Sequence, residues 1–270
     1  MGPDMQPAKF LGTIVPSSNR IVERVTNAVL ADFPEASAHF SRISVAGDKS
    51  HLAPAHDWEG MLDAAQMLAD ARLDAIVWNG SRGAGLGFEA DRELCRRIEG
   101  KTGVPATTSV LAIEEIFRAR GVERFALVTP FPSDYQARVI ETLGREGFGC
   151  AAERHLGIAD NHAIGLVTDE ETARLARLVA ESRPDAILIL CTNLFGAPVV
   201  APLERELGLP VFDSVSAGVW HLLKLAGIDP CRAPRWGSLF APGAAAALHP
   251  SSSAASAGST AETLRGAGRA

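Results

Sequence analysis

The chain of 270 residues is poor in several features that usually betray a function. It has one tyrosine and four cysteines, and aromatic residues make up only 6% of it. No apolar run approaches the roughly 20 residues needed to cross a bilayer. The opening MGPDMQPAKF lacks the charged-then-apolar order of a signal peptide. The expectation is a cytoplasmic protein with no membrane partner. The cysteines (Cys95, Cys150, Cys191, Cys231) show no C-x-x-C or C-x-x-H spacing, and the seven histidines form no H-E-x-x-H or comparable set. No metal is expected, and the thiols read as reduced, since a chain of this length can bury a core without disulfides. Basic runs are missing too: 26 Lys and Arg face 32 Asp and Glu, a net charge of -6. Nucleic acid is therefore an unlikely class of partner and a small molecule the expected one, with room left for a homo-oligomer.

What the chain does have is a 47% hydrophobic composition arranged in short blocks. FLGTIVP (10–16), DAIVWNG (74–80), RFALVTP (124–130) and DAILILC (185–191) are continuous apolar runs bounded by proline, glycine or polar residues. Unbroken rather than alternating hydrophobicity points to strands covered on both faces, as in parallel sheets flanked by helices. Between them, residues 20–33, 58–71, 135–147 and 169–182 carry apolar residues near the helical period. The fold class is α/β. From about residue 241 the sequence turns to alanine, glycine and serine, with too little bulky apolar surface to offset the entropy of ordering it, so a disordered tail is expected over 241–270.

The halves also repeat one another. TIVPSSN (13–19) matches LVTPFPSD (127–134), DAIVWNGS (74–81) matches DAILILCT (185–192), and GVPATTSVLAIEEI (103–116) matches GLPVFDSVSAGVWHLL (208–223). Three matches in one order predict two pseudo-symmetric Rossmann-like lobes, 8–119 and 120–240, each a β-α-β-α-β unit, with the last helix of the chain free to return to the first lobe. Ligands in open α/β sheets bind beyond the carboxyl ends of the strands. A cleft between the lobes would then have Gly80 and Ser81 on one wall and Cys191 and Thr192 on the other.

These residues carry a resemblance. GTIVPSSN (12–19) and LGIADNHAIG (156–165) are similar to segments of maleate cis-trans isomerases, whereas WNGSRG (78–83), a lone LC at 190–191 and the ending RWGSLF (235–240) look like arylmalonate decarboxylases. Over roughly residues 10–240 the chain resembles this branch of the aspartate/glutamate racemase superfamily. Two-cysteine members carry one thiol at each of the equivalent strand ends, for two-base racemisation or covalent isomerisation. Here the first of these positions is Gly80. The resemblance therefore implies a cofactor-independent lyase that decarboxylates a small malonate-type acid through an enediolate, with Cys191 protonating one face. Restoring the second thiol with Gly80→Cys is expected to create racemase or isomerase activity while reducing decarboxylation. A maleate-isomerase-like activity and a non-catalytic carboxylate-binding protein are the alternatives.

Asn19, Gly80, Ser81, Arg82, Asn161 and Thr192 are the candidate substrate-binding groups. Asn19 also fits an ordinary helix cap, and Arg82 is suited to bidentate binding of a carboxylate. The family's TPY tyrosine, which helps to bind a substrate carboxylate, is replaced by Phe131 in TPFPSDY, which leaves Ser133 or Tyr135 to supply a hydroxyl or else a different substrate. A helix starting near residue 198 could lower the Cys191 pKa. The glycine-rich GSRGAGLG (80–87) has no following lysine and reads as a turn rather than a phosphate loop.

Overall fold

The computed structural model describes residues 9–45 and 56–242. Two four-stranded sheets, wholly parallel, have the same topology: β2-β1-β3-β4 in the first half and β6-β5-β7-β8 in the second. The strands are β1 (Lys9–Pro16), β2 (Ala36–Ile43), β3 (Ala75–Trp78), β4 (Ala106–Thr108), β5 (Arg124–Thr129), β6 (Gly149–His155), β7 (Ala186–Ile189) and β8 (Val211–Asp213). All four residues of β3 and of β7 are buried, as are the last six of β1 and the last five of β5. Helices on both faces leave these strands no solvent side, which is why they are continuously apolar. The expected β-α-β-α-β units are corrected to four strands each. The additional edge strands β2 and β6 are mostly half-buried, and their mixed composition gives no apolar run.

Ten α-helices occur among the described residues: α1 (Val22–Leu30), α2 (Trp58–Ala69), α3 (Gly83–Leu86), α4 (Phe88–Thr102), α5 (Ser109–Arg120), α6 (Ser133–Arg145), α7 (Asn161–Ile164), α8 (Asp169–Ala180), α9 (Ala197–Leu207) and α10 (Ser214–Leu225). The closing helix of each half is laid on the opposite half. Phe117 of α5 packs against the rings of Phe125, Phe148 and Phe212 at 5.2–6.1 Å, all in the second half. Reciprocally, α10 packs on α1, β3 and β4. One apolar core therefore runs through both sheets, from Leu11 and Val15 to Ile189 and Phe212. This exchange holds the ends of β3 and β7 in a fixed relation, because parting the halves would strip apolar surface from both helices. No helix among the described residues is long and apolar enough to cross a membrane. Residues 243–270, most of the expected tail, lie outside the described residues.

Candidate active site

The carboxyl ends of β1, β3 and β7 deliver three turns to one small cavity of about 70 Å³. β1 ends on Pro16 and is followed by Ser17-Ser18-Asn19, after β3 comes Asn79-Gly80-Ser81-Arg82, and after β7 comes Leu190-Cys191-Thr192-Asn193. Of the residues expected at the site, Asn19, Gly80, Ser81, Arg82, Tyr135, Asn161, Cys191 and Thr192 all line this cavity. Phe131 and Ser133 do not. Phe131 is buried, its ring edge-on to Tyr135 at 4.8 Å, and Ser133 Oγ lies 2.9 Å from Nε2 of His155 near the surface. Of the two hydroxyls offered in place of the missing tyrosine, it is Tyr135 that reaches the cavity, half a helical turn beyond Ser133.

The wall is stitched across the cleft by three asparagines. Asn19 Nδ2 donates to the Thr192 carbonyl at 2.9 Å, Asn161 Nδ2 donates to Ser18 Oγ at 2.6 Å, and Asn193 Oδ1 accepts from the Arg20 N–H at 2.9 Å. Asn19 Oδ1 also accepts from the N–H groups of Ile21 and Val22, so it caps α1 as well. With both ends of its amide engaged, Asn19 has little left for a ligand.

Cys191 is 4% exposed and lines the cavity. Burial pushes its thiol up to about 12, outweighing the N–H groups of Asn193 and Leu194 that point to the sulfur. The lowering expected from the following helix is thus overturned: α9 starts at Ala197, close to the expected position, but desolvation wins. The thiol keeps its proton at neutral pH. Its backbone N–H donates to Ser214 Oγ at 3.2 Å, which ties the turn to α10.

On the facing wall, Gly80 is pressed by its neighbour. A Cβ at this position would come within 2.5 Å of Cε2 of Trp78, a contact real side chains do not make. A side chain at Gly80 therefore requires the Trp78 ring to shift. Arg82 places its Nε and Nη2 in buried surroundings with no hydrogen-bond partner among the described residues. Burial lowers its pKa, opposed by the nearby Tyr135 and Asp57. Its turn rests on Asp91, a buried carboxylate that approaches the Gly83 backbone, accepts from Thr108 Oγ1 at 2.5 Å and pairs with His56 Nε2 at 2.8 Å. In GSRGAGLG, Gly83 and Gly85 serve close packing, against Asp91 and the Tyr135 ring, while Gly87 supplies a positive φ of 109°.

Sequence reasoning missed Pro16, Ile43, Ser44, Val45, Asp57, Met61 and Asn193 as lining residues. Pro16 falls inside GTIVPSSN and Asn193 directly follows DAILILCT; the others come from β2, the segment after it, the cap of α2 and α2 itself, with no motif to mark them. Phe195, shortly after the β7 turn, lies under the Arg24 guanidinium and does not line the cavity. Among the described residues no group of three or more His, Cys, Asp or Glu could hold a metal ion.

The maleate isomerase of Nocardia farcinica is 29% identical over 238 residues, covering 85% of this chain and 94% of that protein. The arylmalonate decarboxylase of Bordetella bronchiseptica is 35% identical over 141 residues, or 52% of this chain and 59% of that one. Among solved structures, a Nocardia farcinica maleate cis-trans isomerase carrying a cysteine-to-serine mutation and a covalently bound succinylcysteine intermediate superposes with a TM-score of 0.76 at 27% identity, covering 86% of this chain and 98% of that one. A crystal structure of arylmalonate decarboxylase gives 0.72 at 28% identity with the same coverage. The sequence profile of arylmalonate decarboxylase matches residues 56–240, and the chain belongs to that family.

Proposed function

We propose that the protein is a decarboxylase acting on a small malonate-type acid, with Cys191 as the proton donor. The observation that carries this reading is a single protonated thiol lining a cavity whose facing strand end is Gly80. Cleavage of the bond between the α-carbon and one carboxylate releases CO2, and the electron pair moves into the remaining carboxylate to give an enediolate. The S–H of Cys191 then passes its proton to the α-carbon, leaving the monocarboxylate product and a thiolate that takes a proton back from water. The retained carboxylate is the electron sink, so the chemistry needs no cofactor.

Two features of the cavity support that sequence. Pro16, Ile43, Val45 and Met61 make an apolar flank suited to a carboxylate about to lose its charge. Ser81, Arg82, Tyr135 and Thr192 offer donors where charge develops. A thiol held in its protonated form fits a donor better than a nucleophile.

A second reading is a maleate isomerase, favoured by similarity along nearly the whole length of the Nocardia farcinica enzyme. It lacks a thiol at Gly80. A panel of substituted malonates and maleate, followed by mass spectrometry for CO2 loss and by proton NMR for fumarate, separates the two. Loss of CO2 that disappears in Cys191→Ser supports the decarboxylase. Fumarate formation without CO2 loss overturns it, and thermal protection by an acid that is never consumed favours a binding protein.

A further inference from the structure

Ser133, offered by the sequence as a substrate hydroxyl, stands outside the cavity with partners of its own. β5 ends at Thr129, in register with His155 of β6, and the chain then passes through Pro130-Phe131-Pro132 to Ser133, the first residue of α6. That short passage sets the serine hydroxyl against the imidazole at the end of β6, with Oγ 2.9 Å from Nε2 of His155. Glu153 lies two residues earlier on the same strand and so on the same face. Its Oε2 is 2.7 Å from Nδ1 of His155. The same oxygen accepts from Gln136 Nε2 at 2.9 Å, and Gln136 Oε1 accepts from Thr129 Oγ1 at 2.6 Å, so the carboxylate is itself held in place. A carboxylate can only accept. It therefore draws the hydrogen of a neutral imidazole to Nδ1 and leaves the lone pair of Nε2 facing the hydroxyl. That is the order of a nucleophile, a base and a group that orients the base.

We propose that Ser133 and His155, with Glu153 as the positioning residue, form a second, serine-based acyl-transfer site that works without Cys191. Ser133 Oγ attacks the carbonyl carbon of an ester while its proton passes to Nε2 of His155. The new C–O bond forms, the bond to the leaving oxygen breaks, and His155 gives its proton to that oxygen. Water completes the cycle: His155 takes one of its protons, the water oxygen attacks the acyl carbon, and Ser133 departs with its proton restored as the acid is released. Because Ser133 opens α6, its own N–H and that of Asp134 have no acceptor inside the helix and are free for the oxyanion, whereas the Tyr135 N–H is taken by Asp134 Oδ1 at 2.8 Å. Ser133 is exposed, so an ester reaches it directly from solvent. Asp134 beside it in the chain and Glu153 behind the ring put negative charge around the hydroxyl, which disfavours an anionic acyl group. The substrate class is an uncharged ester of a short acid.

The test uses the full chain and needs no decarboxylase substrate. The protein is incubated with an alkyl fluorophosphonate, which forms a P–O bond to an activated serine and expels fluoride, and separately with 4-nitrophenyl acetate, and the modified residues are mapped by peptide mass spectrometry. The expected result is phosphonylation and acetylation of Ser133, both absent in Ser133→Ala. His155→Ala should slow phosphonylation of Ser133 roughly 10²-fold or more, the usual contribution of a positioned base. Added imidazole should then restore part of that rate, which it could not do for a histidine that served packing alone. Glu153→Gln offers Nδ1 an amide that can donate, which turns the ring hydrogen to Nε2, and should slow the reaction roughly tenfold or more while thermal unfolding stays near wild type. A Ser133 left unmodified by both reagents, or modified at the same rate in His155→Ala, overturns the site. Should His155→Ala not fold, an unchanged rate in Glu153→Gln overturns it instead.

Discussion

Asn19 and Thr192 join the two halves of the molecule through one side-chain amide: Nδ2 of Asn19 reaches the Thr192 carbonyl at 2.9 Å while Oδ1 accepts from the first N–H groups of α1, at 2.8 Å from Ile21 and 2.9 Å from Val22. The same residue starts a helix of one lobe and fixes the Cys191 turn of the other. Asn19→Ala should cost about 2 kcal/mol, combining loss of a cap with an unpaired buried carbonyl. Asn19→Asp keeps the acceptor for α1 but places a carboxylate against the Thr192 carbonyl. Urea unfolding of both variants, beside their turnover, separates the roles: α1 should remain capped in Asn19→Asp while activity falls in both.

Cys191→Ala should lose roughly 10²- to 10⁴-fold in turnover, the usual contribution of a positioned general acid, while unfolding shows only the small loss expected from removing one sulfur atom. Because the thiol is pushed up to about 12 from its usual 9, the donor form persists through mildly alkaline pH. Turnover should not decline between pH 7 and 9 through this group, and alkylation of Cys191 by iodoacetamide should be slow at pH 8. A pH–rate profile and mass-spectrometric mapping of the alkylated cysteines check both.

The parts of this arrangement that were legible in the sequence are those set by local composition. Strands β1, β3, β5 and β7 sit between helix layers and must be apolar throughout, so their runs stand out. The repeat then pairs Gly80 with Cys191 without any coordinates. Strands β2 and β6 lie at sheet edges, where ASAHFSRI and GCAAERH stay mostly half-buried and carry no period that demands a strand. Met61, Ile43 and Trp78 were invisible as a group because the first faces the cavity from a helix, the second from an edge strand and the third from a central strand. Only the fold brings them together. The raised Cys191 pKa was likewise misjudged: a helix start can be read from sequence, whereas the extent of burial around one sulfur cannot.

Gly80→Cys should destabilise the protein by about 1–3 kcal/mol, the usual cost of overpacking, since its Cβ meets the Trp78 ring. Trp78→Val removes that ring and opens a cavity of its own. The double variant should lose less than the sum of the two single losses, because each change relieves the fault of the other. Additive losses in chemical unfolding would mean that the ring does not hold the space beside Gly80.

Asp213 provides a pH dependence that can be separated from those of the many surface carboxylates. It caps α10 by accepting from the Ser216 N–H at 2.8 Å, yet its Oδ2 has no hydrogen-bond partner among the described residues and lies against the Gly196 backbone. Burial raises its pKa from 3.8 to about 6, against the pull of the N–H groups of Ser216 and Val215. An acid whose folded pKa lies above its unfolded value binds more protons in the native state across that interval, so stability falls as pH rises from about 4 to about 6. The two-unit shift corresponds to about 3 kcal/mol. This cost is absent below pH 4 and fully present above pH 6. Asp213→Asn keeps an oxygen for the Ser216 N–H and carries no charge at any pH. Relative to wild type, it should gain about 3 kcal/mol of stability at pH 7.5 over whatever difference it shows at pH 4. Urea unfolding of the pair at a series of pH values measures this difference directly, and a difference that does not change with pH would mean that Asp213 ionises in the folded chain as easily as in the unfolded one.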